Sequence, residues 1–425
     1  MSDSAASISA GNVPGTAGRY HGLDALRAGA MALGVVLHAA APYLQRSMPG
    51  LQWAVEGPAA GSESVAWLDG LFWWLHAWRV PLFFVLAGFF AMLLASRRGG
   101  ASFLDHRNRR VLLPLLVSCA VILPVSYFVF GWGWVRSGLT TWDEVLRLSL
   151  GEGIRRDDVV GPAHLWFLEY LYLFSVLFAL LVFLLRRVGW NPEVEGGGLR
   201  ERSAKGGGVL LGMGVVVWGG SAGLVALEPA VAYSFENSFV PRPVEFLYHG
   251  WFFVVGAGLY LRRGLLESLG KSAWPLTGGA LVLGVAAAWM TLPRVTSWHE
   301  HGIAGVEHGI AGEERGLVLR IAYAGVWAGA AWLTIAWMLA AAVRWLARPS
   351  GVIRWLSDSA YWVYLAHVPV VAAVHVVLLD SGLPAWVRVA LAIAGGFSVT
   401  LATYRYGIRY TWLGVGLHGR RGMAA

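Results

Sequence analysis

Leu23-Asp24-Ala25-Leu26-Arg27-Ala28-Gly29-Ala30-Met31-Ala32-Leu33-Gly34-Val35-Val36-Leu37-His38 is an apolar run that carries two costly side chains. A charge inside hydrocarbon is expensive and is usually retained for a task. Arg27 and His38 are eleven positions apart. At roughly 100° per residue they project from one helix face, about 16 Å apart along its axis. One group then sits near a membrane surface and the other near its middle. Asp24, three positions before Arg27, is placed to pair with it.

The rest of the chain follows this pattern. Of 425 residues, 57% are hydrophobic and 14% charged, an apolar share above the soluble norm of about 45–50%. Apolar stretches of about 18 residues or more recur, so the expected fold is an all-α integral membrane protein in one bundle. Ten spans are expected near 23–43, 66–95, 111–131, 164–187, 208–227, 245–262, 275–292, 317–343, 359–379 and 385–405. Residues 1–18 read as a disordered tail, 19–410 as the membrane domain and 411–425 as a C-terminal tail. The segment 195–208 reads as a Gly-rich linker. The 23 Trp residues suit interfacial belts and pocket walls.

Lys and Arg concentrate in alternate loops: Arg97 to Arg110, Arg186 to Lys205, Arg262 to Lys271, Arg344 to Arg354, and the tail. That bias places both termini in the cytoplasm and a multi-pass chain in a bacterial-type cytoplasmic membrane. The net charge of +8 therefore reports topology and anionic lipid rather than nucleic acid. The single cysteine, Cys119, lies in an apolar run and reads as packing. The stretch 293–316 reads as an outward loop, and its His299, His301 and His308 as solvated; no metal site is expected. Trp142 to Leu150 reads as an amphipathic stretch on the surface.

Other polar residues fall inside spans. His76 and Arg79 share a face of the second helix, at a depth close to that of His38, and Pro81 is expected to kink that helix there. Glu169 lies one turn into the fourth, behind His164, and needs a partner; Arg79 or a protonated His is the candidate. Glu245 and His249 form an i,i+4 pair read as interfacial. His367 lies in the ninth helix, whose start Ser357 or Asp358 would cap. Plainer readings stand beside these: Arg27 snorkelling to the surface, His38 bonding to a neighbouring helix. Arg107, Arg109 and Arg110 read either as positive-inside anchors or as a phosphate clamp.

Several stretches in order resemble the acyltransferase 3 family of membrane acyltransferases. They are Arg27 with His38; Arg79-Val80-Pro81-Leu82-Phe83-Phe84 to Gly88-Phe89; Arg107 with Arg110; His164-Leu165-Trp166-Phe167-Leu168-Glu169; and Ser357-Asp358 to Tyr364-Leu365-Ala366-His367. The fourth and fifth are most similar to the branch with glucan-modifying succinyltransferases. Ala87 departs from the Ser that the family often has before Gly-Phe. The resemblance implies transfer of an acetyl or succinyl group from cytoplasmic acyl-coenzyme A, as cosubstrate, to a hydroxyl of an extracytoplasmic glycan. His38 would then be the general base, with Arg79 and Glu169 shaping the cavity and Arg79 a possible oxyanion donor. Arg27 would orient the cofactor arm, and Arg107, Arg109 and Arg110 would hold its phosphates. Asp24, His76, His164 and His367 are supporting candidates. The competing class is a secondary transporter of a polar solute or proton, which also needs midplane charges but favours inverted repeats that this sequence lacks.

Overall fold

The computed structural model describes residues 20–45, 47–55, 66–98, 100–150, 154, 159–189, 207–235, 237–308 and 313–418. The expected N-terminal tail and most of the 195–208 linker lie outside them. Among the described residues there are helices and no strands. Nine helical segments there are long and apolar enough to cross a membrane. The tenth expected span forms a helix, Gly207–Leu227, with a shorter apolar stretch.

The helices that position the site are α1 (His21–Ala40), α2 (Ala66–Arg98), α3 (Gly100–Arg107), α4 (Leu113–Arg136), α5 (Trp142–Arg147), α6 (Trp166–Arg187), α7 (Gly207–Leu227) and α8 (Pro243–Leu261). They are followed by α9 (Gly264–Lys271), α10 (Ala273–His308), α11 (Glu313–Trp345), α12 (Gly351–Val377), α13 (Ala385–Thr403) and α14 (Trp412–His418). A single π-turn, Asn108–Leu112, joins α3 to α4.

Helix α1 is central, in contact with α2, α11, α12 and α13. Small residues permit this. A β-carbon on Gly22 would meet the backbone of Ala342 in α11, and one on Gly396 would press on Val35 of α1. The α2–α8 pair is closer still. Gly88 lies against the carbonyl of Phe253, and Gly256 against that of Val85. Apolar side chains drive no helix association in hydrocarbon, so close backbone packing of this kind supplies it. The outside of the bundle is apolar: Leu116, Val121, Val125 and Phe128 form an exposed stripe on α4.

Three expectations change. Helix α12 begins at Gly351, because Ser350 caps it: its hydroxyl accepts from the amide of Ile353 at 3.4 Å. Ser357 is therefore interior, and its hydroxyl donates to the carbonyl of Asp24 at 3.1 Å, tying α12 to α1. The described residues of the stretch 293–316 are helical and not a loop. Helix α10 continues through Pro293 to His308, and α11 starts at Glu313. The side chains of His299, His301 and His308 lie outside the described residues. The tail holds α14, whose Leu417 is buried. Pro81 and Pro369 sit inside continuous helices.

Candidate active site

Six buried polar nitrogens without hydrogen-bond partners belong to residues lining one cavity of about 720 Å³. They are His38 Nδ1, Trp53 Nε1, Arg79 Nε, His164 Nδ1, His249 Nδ1 and His367 Nε2. Buried polar atoms are nearly always paired, so a cluster of exceptions marks a place built to meet something else. The cavity lies towards the end of the bundle where α1 stops and α2, α6 and α8 begin.

The rings are close. His38 and His367 have centroids 5.1 Å apart, and His367 and His164 5.6 Å. Trp53, in the segment after α1, stacks on His38 at 5.7 Å with planes 6° apart. Arg79, His76 and His164 are charge neighbours of His38. Arg79 reaches it across α1, its guanidinium seated on Gly34, one turn before His38.

Carbonyl contacts fix two tautomers. His367 Nδ1 lies 2.7 Å from the carbonyl of Tyr364 and 3.0 Å from that of Val363. A carbonyl only accepts, so Nδ1 holds the proton and Nε2 keeps a lone pair. His164 Nε2 donates to the carbonyl of Leu365 at 3.0 Å, which leaves Nδ1 as its acceptor atom. In return, the hydroxyl of Tyr364 donates to the carbonyl of His164 at 2.7 Å. This exchange pins the short turn before α6 onto α12. The turn is strained, since Ala163 has φ of 46°, and the side chain of Asn237 holds its amide at 2.8 Å. Strain of this kind persists where surrounding contacts over-determine the backbone.

A second cluster forms at the other end of α1. Arg27 pairs with Asp24 at 3.5 Å. Arg107 lies over the ring of Phe103 at 5.1 Å, its Nε is buried without a partner, and Arg27, Arg110 and Tyr361 are its charge neighbours. Tyr361 donates to the carbonyl of Arg110 at 3.0 Å, while Arg110 donates to the carbonyl of Leu417 in α14 at 3.3 Å. Arg109 leaves the group: it is exposed and bonds Asp105 at 3.2 Å. The π-turn changes the angular spacing of these residues, and such turns recur at functional sites. Tyr361, Tyr364 and His367 occupy one strip of α12 that links the two clusters, with about 9 Å of axial rise between its ends.

A family model described as an acyltransferase domain, that of acyltransferase 3, matches residues 20–194 and 200–405. The chain belongs to the acyltransferase 3 family. Among curated proteins it is similar to glucans biosynthesis protein C of Escherichia coli O6:K15:H31 (strain 536 / UPEC), with 27% identity over 180 residues, 42% of each chain. The same protein of Escherichia coli (strain K12) gives the same identity and coverage. The alignment thus spans about two fifths of the curated relatives' length. No solved structure matches the chain.

In this acyltransferase 3 chain, five of the residues expected at the site meet on the cavity: His38, His76, Arg79, His164 and His367. Glu169 is not among its lining residues. Its Oε2 is buried without a partner, its charge neighbour is Cys119, and it forms no ion pair with Arg79 among the described residues. Three lining residues had been given other roles. Glu245 and His249, read as interfacial, face the cavity, with Glu245 within 3.9 Å of Arg242 and 3.5 Å of the Tyr170 hydroxyl. Their i,i+4 spacing was the available signal. Cys119, read as packing, also lines the cavity. Trp53 gave no signal, because its position depends on a loop. Among the described residues no group of three or more His, Cys, Asp or Glu is placed to hold a metal.

Proposed function

We propose that this chain is a membrane O-acyltransferase that moves an acetyl or succinyl group from cytoplasmic acyl-coenzyme A to a hydroxyl of an extracytoplasmic, carbohydrate-containing acceptor. The observation that carries this reading is the pair of clusters at opposite ends of α1, one rich in Arg and one in His. Arginine suits phosphate because its planar fork makes bidentate, charge-assisted bonds. Arg27, Arg107 and Arg110 hold the coenzyme A phosphates, and Arg109 serves as an outer anchor. The pantetheine arm follows the Tyr361–Tyr364 strip towards the histidines.

A hydroxyl is a weak nucleophile until a base takes its proton. His38 takes it as the oxygen attacks the thioester carbonyl. Arg79 donates to the developing oxyanion. When the tetrahedral centre collapses, the carbon–sulfur bond breaks and His38 returns the proton to the departing thiolate. The products are the acylated acceptor and free coenzyme A. His367, with Nδ1–H bound to carbonyls, presents its lone pair to the same space and keeps His38 oriented. The distribution of Lys and Arg supports an orientation with both termini and the Arg cluster in the cytoplasm.

The test is transfer of labelled acyl groups from acetyl- and succinyl-coenzyme A to glycans by the purified protein in lipid nanodiscs. His38→Ala is expected to lower kcat by about 100-fold or more with coenzyme A binding retained. Wild-type turnover in that variant overturns the assigned base. No coenzyme A binding by the wild type overturns the acyltransfer reading.

A further inference from the structure

The cavity extends well past the histidines. From His38 it continues to Phe128 on α4, Leu146 on α5 and Phe239 in the segment before α8. These three are large, apolar and exposed, by 57%, 74% and 54%. Phe128 also ends the apolar stripe that α4 turns outward. The cavity therefore opens among exposed apolar side chains, continuous with the apolar outer face of α4.

Helix α5 forms part of this rim. A capping box at Thr141 and Glu144 starts it. Trp142 stacks on Phe128 at 5.3 Å, and Tyr127 donates to the carbonyl of Val145 at 2.8 Å. These contacts hold Leu146 at the opening. The wall also carries the polar side chains of Gln52, Asn237 and Glu245. One space is thus lined by exposed apolar side chains, by hydrogen-bonding side chains and by the reactive histidines. Its volume suits a ligand much larger than an acetyl group.

The donor does not account for the mouth. Its phosphates belong with Arg27, Arg107 and Arg110, at the opposite end of α1. We propose that the acceptor is an amphiphile, a hydroxyl-bearing saccharide head on an apolar chain. The head enters past Phe128, Leu146 and Phe239, and the chain stays at the mouth in contact with lipid. This inference rests on the acyltransfer reading above and specifies its acceptor.

The experiment uses the full chain in nanodiscs with labelled acetyl- and succinyl-coenzyme A. Glucose is compared with butyl, octyl and dodecyl glucoside, each below its micelle concentration. The expected result is a kcat/KM for dodecyl glucoside about tenfold or more above that for glucose, rising with chain length. Leu146→Glu and, independently, Phe239→Glu are expected to reduce the dodecyl-to-glucose ratio by about fivefold or more. Equal rates for glucose and the glucosides, or an unaltered ratio in both variants, overturn the amphiphile inference and leave the acyltransfer reading standing. A dependence on the chain length of the acyl-coenzyme A instead of the glucoside assigns the mouth to the donor and also overturns it. Transfer to none of these acceptors, with none to glycans, overturns both.

Discussion

The guanidinium of Arg79 occupies the notch that Gly34 leaves on α1, one turn from His38. A β-carbon at position 34 would collide with Nη1, the end of a flexible side chain, and not with backbone. Gly34→Ala is therefore expected to move Arg79 and leave the fold intact. A displacement of about 1 Å at a reacting centre costs on the order of 100-fold in rate. The check is kcat in labelled transfer, together with an unfolding midpoint close to that of the wild type.

Gly88 supplies the contrast. A β-carbon there would meet the carbonyl of Phe253 and the amide of Ala257, both backbone. Neither retreats without separating α2 from α8. Gly88→Ala is expected to cost about 1–3 kcal/mol of stability. Thermal unfolding in detergent measures it, and activity should fall only in proportion to folded protein.

The arginines of the donor end are expected to divide. Arg107 is drawn into the bundle over Phe103, whereas Arg109 is exposed and bonds Asp105. Losing a charge-assisted phosphate contact costs about 1.5–3 kcal/mol, so Arg107→Ala should raise the donor KM by about tenfold or more. Exposed pairs contribute little, and Arg109→Ala should change it by less than about twofold. Steady-state kinetics with acyl-coenzyme A varied separates the two.

Tyr364 holds the turn that carries His164. Tyr364→Phe removes the 2.7 Å bond to the carbonyl of His164 and leaves that buried acceptor unpaired. A cost of about 1–3 kcal/mol follows. With Ala163 strained in the same turn, the expected result is a lower kcat and faster hydrogen exchange at residues 163–166, with donor KM unchanged.

Helix α5 should respond to acid. The amide of Thr141 holds the carboxyl of Glu144 below the usual glutamate range, aided by the hydroxyls of Thr140 and Thr141. A carboxylate whose folded pKa is lowered stabilises the structure above its unfolded pKa, and that contribution disappears as pH falls through the folded value. Protection factors at residues 141–148, which are corrected for the intrinsic pH dependence of exchange, are thus expected to hold near neutrality and to fall only below the ordinary glutamate range. Glu144→Gln should remove the pH dependence.

The sequence by itself determined what lies within one helix. The 3.6-residue repeat put Arg27 and His38 on one face of α1, His76 beside Arg79 and Glu245 beside His249, because rise and rotation per residue are properties of the backbone alone. Hydrophobic length gave the spans, and basic loops gave an expected orientation. Partnership between helices was decided by the tertiary structure. His367 meets His38, Tyr361 meets Arg110, Arg109 turns outward, and Glu169 is a charge neighbour of Cys119 and not a lining residue of the cavity. The physical reason is that lipid and a neighbouring helix are both apolar. Hydrophobicity tells a helix that it belongs in the membrane but not which way to turn. Rotation is set by small contacts, such as Gly34 under Arg79 and Gly88 against Phe253, that exist only once the bundle is assembled.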